Sequence, residues 1–109
     1  MSVSTEEKKS YRVTLDQKGM RRIELGPGPL GTRVRCLVPL AGDVDEHWRQ
    51  SFRSVQLEDT GFFRFRLEMS SKTIAFAATE REDDQGITAE LRVLAGLLDS
   101  VNTLASKTS

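Results

Sequence analysis

The 109-residue chain is poor in the features that most directly reveal a function. It contains one cysteine, one histidine, one tyrosine and one tryptophan, and its 16 basic residues are balanced by 16 acidic ones. A single cysteine cannot form an internal disulfide. A net charge of zero removes the simplest electrostatic reason to expect nucleic acid or a membrane as a partner. No apolar run approaches the ~20 residues needed to span a bilayer.

Length and terminal composition set the domain organisation. The opening residues, MSVSTEEKKS, are polar and lack the apolar core of a secretory signal. Together with the unpaired cysteine, this favours a reducing, cytoplasmic compartment and argues against a membrane partner. A chain of this length predicts one domain. We expect a disordered N-terminal tail over residues 1–9, a single α+β domain over residues 10–105, and a frayed C-terminus over residues 106–109.

Alternating apolar and polar residues predict five β-strands. They cover residues 11–15, 21–25, 32–37, 63–69 and 73–79. The segment 26–31 (GPGPLG) is expected to be a loop, because its two prolines lack the backbone N–H that a paired strand donates. Pro39 should end the third strand for the same reason. The short link between the last two strands predicts a hairpin.

The same alternation predicts which side chains of the strands face the core. In the second strand, Ile23 and Leu25 should point inward, and Arg22 and Glu24 should point outward. In the fourth strand, Phe63 should point inward. The outer side of the sheet is therefore expected to be polar.

Two segments show the periodicity of amphipathic helices. The first covers residues 44–55, with Asp43 as its N-cap. Trp48 and Phe52 fall on its apolar stripe and are expected to pack in the core. The second helix covers about residues 88–104, where apolar residues recur at steps of three and four.

These elements follow one another in the order βββαββα. Short links make neighbouring strands antiparallel, and two amphipathic helices need an apolar surface to cover. The sequence therefore predicts an α+β two-layer sandwich, in which a roughly five-stranded, mainly antiparallel sheet carries two helices on one face.

Three patterns resemble functional motifs, and each has a simpler structural explanation. The segment 26–31 matches G-x-G-x-x-G, but a strand follows it where a dinucleotide site needs a helix. Asp43 and His47 are four residues apart, as metal ligands can be, but acidic residues at a helix start act as caps. Cys36 is predicted to point inward, where burial makes a thiol unreactive. The sequence thus nominates no catalytic residue, no cofactor or cofactor-binding residue, and no metal ligand.

The most informative predicted surface is the outer face of the sheet, which collects arginines suited to carboxylates and phosphates. The candidate partner-binding residues are Arg12, Arg22, Arg33, Arg35, Arg64 and Arg66. Two observations favour a face that is merely solvated by internal ion pairs. Asp16, Glu24 and Glu68 should share the face, and no aromatic side chain is predicted there to stack on nucleic-acid bases.

The second helix has a wider apolar stripe than a narrow packing seam requires. The excess residues, Val93, Leu97 and Leu104, are candidates for a homodimer contact.

Three hypotheses about function remain open. The first is a non-catalytic protein-interaction or regulatory module that binds a protein partner or itself, as a homodimer. The second is a module that binds nucleic acid or an acidic partner through the arginine-rich sheet face. The third is a small-ligand-binding domain with a pocket between helices and sheet. Because no catalytic group is nominated, an enzymatic activity is the less favoured interpretation.

Overall fold

The computed structural model of the protein describes residues 9–68, 72–80 and 85–109. It confirms the predicted α+β fold, with five antiparallel strands and two helices in the order βββαββα. The elements are β1 (Thr14–Leu15), β2 (Arg21–Gly28), β3 (Gly31–Ala41), α1 (Glu46–Glu58), β4 (Arg66–Glu68), β5 (Thr73–Glu80) and α2 (Gln85–Thr108). Of the predicted N-terminal tail, only Lys9 lies within the described residues.

β3 is the central strand of the sheet. β5 pairs with one of its edges, and β1 and β2 pair with successive parts of its other edge. β4 pairs with the outer edge of β5. β1 and β2 therefore form a single interrupted strand, and a 3₁₀ turn at Gln17–Gly19 separates the two parts.

This turn determines the orientation of β2. Thr14 lies opposite Ala41 and Arg21 lies opposite Leu37. The seven steps along the chain from residue 14 to residue 21 (21 − 14) therefore lie against only four steps of β3 (41 − 37). The three extra residues are an odd number, and an odd shift in register moves every side chain to the other face.

The orientation predicted for β2 is consequently wrong. Arg22 lies opposite the buried Cys36, on the helix side of the sheet, whereas Ile23 lies opposite Arg35 on the other side. Alternation in β2 could not reveal this, because Ile23 and Leu25 remain 46% and 50% exposed and neither face of the strand enters the core.

The proline-rich segment is more regular than expected. β2 continues to Gly28 and β3 begins at Gly31, so only two residues form the turn. Pro27 is tolerated because β2 is an edge strand, where one side of the backbone needs no partner. β3 also continues past Pro39, whose carbonyl oxygen accepts a hydrogen bond from the backbone N–H of Asp16 at 2.9 Å.

The core lies between the helices and the inner side of β3 and β5. Trp48 and Phe52 of α1 are buried there, with ring centroids 5.6 Å apart, which confirms their predicted role. α1 begins later than predicted, because Asp45 rather than Asp43 is its N-cap. Asp45 Oδ1 accepts a hydrogen bond from the backbone N–H of Trp48 at 2.9 Å.

Asn102 of α2 joins both helices to the N-terminal part of the sheet. Its Oδ1 accepts hydrogen bonds from the backbone N–H of Val13 at 3.0 Å and from Trp48 Nε1 at 2.9 Å. Its Nδ2 donates to the carbonyl oxygen of Val13 at 2.9 Å. One side chain thus satisfies a backbone donor, a backbone acceptor and the indole N–H.

α2 starts before and ends after its predicted range. Ser106, which we expected to fray, is helical, and its Oγ accepts a hydrogen bond from the backbone N–H of Tyr11 at 2.8 Å. Ser109 Oγ in turn accepts one from the backbone N–H of Lys9 at 3.0 Å. These contacts tie the C-terminus to the start of the domain, which is why the last turn holds.

Candidate functional site

The sheet has one side that the helices leave uncovered, which we name the open face. On β3 the side chains of Val34, Cys36 and Val38 are buried against the helices, so the alternate residues point the other way. The strand registers assign the following residues to the open face: Arg21, Ile23, Arg33, Arg35, Leu37, Pro39, Arg66, Glu68, Thr73, Ala75, Ala77 and Thr79.

The open face carries an excess of positive charge. It contains four arginines and one glutamate, a difference of three charges (4 − 1) in a chain whose net charge is zero. Glu68 offsets only Arg35, with 3.5 Å between Oε1 and Nη2. In the part of the chain that the structure describes, Arg21, Arg33 and Arg66 have no ion pair.

One transverse row shows how charge and apolar surface alternate. Arg21, Leu37, Ala75 and Arg66 lie opposite one another on four neighbouring strands. Neighbouring strands are ~4.8 Å apart, so the two arginines flank an apolar strip with their Cα atoms about 14 Å apart. Across the sheet, this row therefore places a cation, two apolar side chains and a second cation side by side.

A groove of about 390 Å³ crosses the open face. Ala75 and Ala77 form its floor, because their short side chains leave space above β5. Its walls combine apolar and cationic side chains, namely those of Leu25, Arg35, Phe63, Arg64 and Arg66. Half or more of the Leu25 and Phe63 side chains is exposed, so a partner could still bury this surface.

Phe63 reaches the groove because β4 does not begin until Arg66, which is later than predicted. Residues 63–65 form a turn, and only Phe65 packs inward, edge-to-face on Phe76 at 5.6 Å. Gln56 of α1 holds this turn, since its Nε2 donates to the carbonyl oxygens of Phe62 and Phe65 at 2.9 and 2.8 Å. The prediction that Phe63 faces the core is therefore wrong.

Arg64 forms the rim of the groove rather than its floor. Its Nε donates to Glu90 of α2 at 2.6 Å, and its guanidinium lies 4.7 Å from the centroid of the Phe65 ring. These two contacts position the side chain before any partner arrives. A smaller recess of about 220 Å³ between α1 and β4 adjoins the groove through Phe63 and Arg66.

The structure brings together only some of the arginines that the sequence nominates. Arg33, Arg35 and Arg66 share the open face, and Arg64 lies at its groove. Two nominated arginines, Arg12 and Arg22, do not join this cluster.

The register corrects the orientation of Arg22, and Arg12 lies apart from the groove. Arg22 lies on the helix side, where it forms an ion pair with Glu80 of β5. Arg12 is exposed and alternates with the buried Val13, so it faces away from the helices as predicted. It precedes β1, however, and lies next to Gly42 at the opposite end of β3 from Arg33. Glu24, which we expected to neutralise the outer face, also lies on the helix side, opposite Val34. The register therefore removes both an arginine and a glutamate from the open face, and adds Arg21 to it.

The nominated dimer residues of α2 are placed differently from one another. Leu97 is completely buried in the core, so it is not available to a second molecule. Leu104 is half-buried against the core, and Val93 is 36% exposed. α2 packs on both β5 and α1, and covering two neighbours requires a wide apolar stripe. The width of the stripe therefore reflects packing within the domain.

His47 and Cys36 are both held by contacts within the fold. His47 Nε2 lies 3.1 Å from the carbonyl oxygen of Ala105 and 3.0 Å from Thr108 Oγ1, so it links α1 to the last turn of α2. Cys36 is a buried free thiol, and burial raises its pKa. Within the described residues, no group of three or more metal-ligating side chains comes together.

Tyr11 and Lys9 meet the start of α1. Burial raises the pKa of Tyr11, whose hydroxyl donates to Asp45 Oδ2 at 2.8 Å. Lys9 Nζ donates to the same oxygen at 2.9 Å and also pairs with Asp43. Partial burial favours protonation of Asp45, but the hydrogen bonds from Trp48, Lys9 and Tyr11 outweigh it and lower the pKa to about 2.

Comparison with known proteins assigns no relatives to this chain: no protein-family model, no curated protein and no solved structure matches it. Neither α1 nor α2, the helices of the described residues, is both long and apolar enough to cross a membrane.

Proposed function

We propose that the protein is a non-catalytic protein-interaction module, acting in a reducing, cytoplasmic compartment, that binds an acidic segment of a partner protein on its open face. The observation that carries this proposal is the row in which Arg21 and Arg66 flank Leu37 and Ala75. Guanidinium groups bind carboxylates through paired N–H donors, and the apolar strip between them suits an uncharged side chain of the same segment.

The groove defines the shape of the segment. Its volume of about 390 Å³ suits one large apolar side chain as an anchor, resting on Ala75 and Ala77 between Leu25 and Phe63. Arg33 and Arg35 lie two residues apart on β3, which separates them by ~6.6 Å. An extended peptide repeats its side chains at the same interval, so two of its carboxylates can each meet one of these arginines. The expected ligand is an extended peptide with acidic residues around an apolar anchor.

The surface favours a peptide over single-stranded nucleic acid. Sequence-reading sheet platforms stack two or three bases on aromatic side chains. Two of the described residues that line this groove are aromatic, Phe63 and Phe76, and Phe76 is only 3% exposed. The other exposed apolar side chains, Ile23 and Leu25, are aliphatic. Aliphatic surface suits the side chains of a peptide and offers no stacking partner for a base.

The chemistry of the groove is that of binding. The charged side chains that line it are the guanidinium groups of Arg35, Arg64 and Arg66, which suit carboxylates through paired N–H donors. General acid–base catalysis most often uses histidine or a carboxylate, and none of the described residues that line the groove is of either type.

A charge-reversal experiment tests the proposal. The double variant Arg33→Glu/Arg66→Glu leaves every ion pair of the described residues intact, because neither arginine has one. The matched control, Arg12→Glu/Arg92→Glu, changes the net charge equally at exposed positions that do not line the groove. The probe is a fluorescein-labelled peptide of about ten residues, with glutamates flanking a central leucine, read by fluorescence anisotropy.

We expect the open-face variant to lose at least about tenfold in affinity, equivalent to ~1.4 kcal/mol, while the control stays within about twofold of the original protein. Equal affinities for the two variants would show that the open face is not the binding surface. If oligothymidylate binds more tightly than the peptide and is lost only in the open-face variant, the partner is nucleic acid and the proposal is wrong.

A further inference from the structure

β2 presents a free edge in the described part of the sheet. One edge of this strand pairs with β3, and no described strand pairs with the other. Both faces of the strand are exposed, and Ile23 and Leu25 expose about half of their surface. Long, exposed strand edges with apolar side chains are sites at which another strand pairs.

The sequence of β2 complements itself. Residues 21–25 read Arg-Arg-Ile-Glu-Leu. If two copies of this segment pair in antiparallel fashion about Ile23, Arg22 of each copy lies opposite Glu24 of the other. Ile23 then lies opposite its own counterpart, and Arg21 lies opposite Leu25. Opposite charges directly across an antiparallel pair stabilise it, and like charges oppose it.

Other symmetric registers lack this complementarity. Pairing about Arg22 places two arginines opposite each other, and pairing about Glu24 places two glutamates opposite each other. The charges themselves are placed for the proposed register, because Arg22 and Glu24 both lie on the helix side of the sheet, opposite Cys36 and Val34. Glu24 has no ion pair among the described residues, so its carboxylate can take one. Arg22 pairs with Glu80 of its own copy, and its guanidinium has further N–H donors for Glu24 of the second copy.

We propose that a second copy of this chain pairs with the free edge of β2, in antiparallel register centred on Ile23, to form a two-fold symmetric dimer. A two-fold axis perpendicular to the sheet keeps the helices of both copies on one side. The two open faces then form one continuous surface, with Ile23 of each copy in contact at its centre. The dimer contact is therefore β2, and not the apolar stripe of α2.

The paired segment is short. The register of β2 against β3 shifts between Glu24 and Gly26, and Pro27 follows, so regular pairing covers residues 21–25. An interface this small is expected to be weak. The fraction of dimer should therefore fall as the protein is diluted.

Complementary single variants test this register. In Glu24→Arg, both cross-strand pairs consist of two arginines, and in Arg22→Glu, both consist of two glutamates. Each variant alone should weaken the dimer on the order of tenfold, because two like-charged pairs replace two opposite ones. When the two variants are mixed, both pairs become opposite in sign again. Sedimentation velocity over a range of protein concentrations, with circular dichroism to verify folding, should show dimers in the mixture and in the original protein.

Three results would overturn the proposal. The first is a strictly monomeric original protein at every concentration. The second is a mixture that stays monomeric although the original protein dimerises. The third is loss of the dimer in Val93→Lys, on the exposed side of α2, but not in Ile23→Lys. Peptide binding is measured separately with the Glu24→Arg variant, whose substitution lies on the helix side of the sheet and not on the open face. Failure of this dimer and failure of the open face as a binding surface are therefore distinguishable.

Discussion

Replacing Asn102 with leucine should destabilise the domain by about 2–5 kcal/mol, because it removes three hydrogen bonds and leaves their partners buried. The partners are the Val13 N–H, the Val13 carbonyl oxygen and Trp48 Nε1. Val13 is 1% exposed and Trp48 is fully buried. Leucine matches asparagine closely in shape, so the loss measures the missing hydrogen bonds rather than a cavity.

The magnitude follows from the desolvation of each group. A buried donor or acceptor left without a partner costs ~1–3 kcal/mol, which gives roughly 3–9 kcal/mol for three groups. Asn102 itself is half-buried, so water can reach part of the site and lowers the total toward the stated range. A small domain is stable by only about 5–15 kcal/mol, so the variant should be close to unfolding at room temperature.

Urea unfolding followed by tryptophan fluorescence measures this loss, because Trp48 is the only tryptophan and contacts Asn102 directly. Ser100→Leu is the matched control on the exposed side of the same helix and should change the stability by less than about 0.5 kcal/mol. If Asn102→Leu loses no more than this control, the account of Asn102 as the junction between sheet and helices is refuted.

Three further predictions concern stability and reactivity. Asp45, whose folded-state pKa of about 2 lies below its ordinary value, should contribute stability above about pH 4 that disappears as the pH falls toward 2; urea unfolding across this range should show the loss, and Asp45→Asn should abolish it. Gly86→Ala should lower the thermal midpoint despite the helix preference of alanine, because a Cβ there would overlap the carbonyl oxygen of Thr79; an unchanged midpoint would contradict the close packing. Cys36 should react with a thiol reagent only as fast as the domain unfolds, since it is fully buried and burial raises its pKa; rapid labelling of the folded protein would contradict this.

The parts of the fold that face the core could be predicted from the sequence. β3 alternates buried and open residues as its pattern indicates, because one of its faces is covered by the helices. Trp48 and Phe52 pack as their helical spacing predicts. The helix cap could not be predicted, because Asp43 and Asp45 are chemically equivalent and Lys9 pairs with both. The hydrogen bond from the distant Tyr11 goes to Asp45 alone.

The candidate site could be predicted only in part, because its arrangement depends on register. Arg33, Arg35 and Arg66 follow from simple alternation. Arg21, in contrast, joins them only because the three extra residues before β2 exchange the two faces of that strand. No local pattern in the sequence indicates this exchange.

Phe63 was missed for a related reason. Its alternation with Phe65 suggests a strand, but the link to Gln56 through the neighbouring carbonyls makes this segment a turn. The one signal in the sequence is the run of small residues at Ala75 and Ala77, which creates the floor of a groove but does not show what lines it.

The most direct test of the open face as a binding surface is the affinity of the acidic, leucine-anchored peptide for Arg33→Glu/Arg66→Glu compared with Arg12→Glu/Arg92→Glu. We predict that the first variant loses at least about tenfold in affinity and that the second, with the same net charge, binds as the original protein does. Equal binding by the two variants would contradict the account.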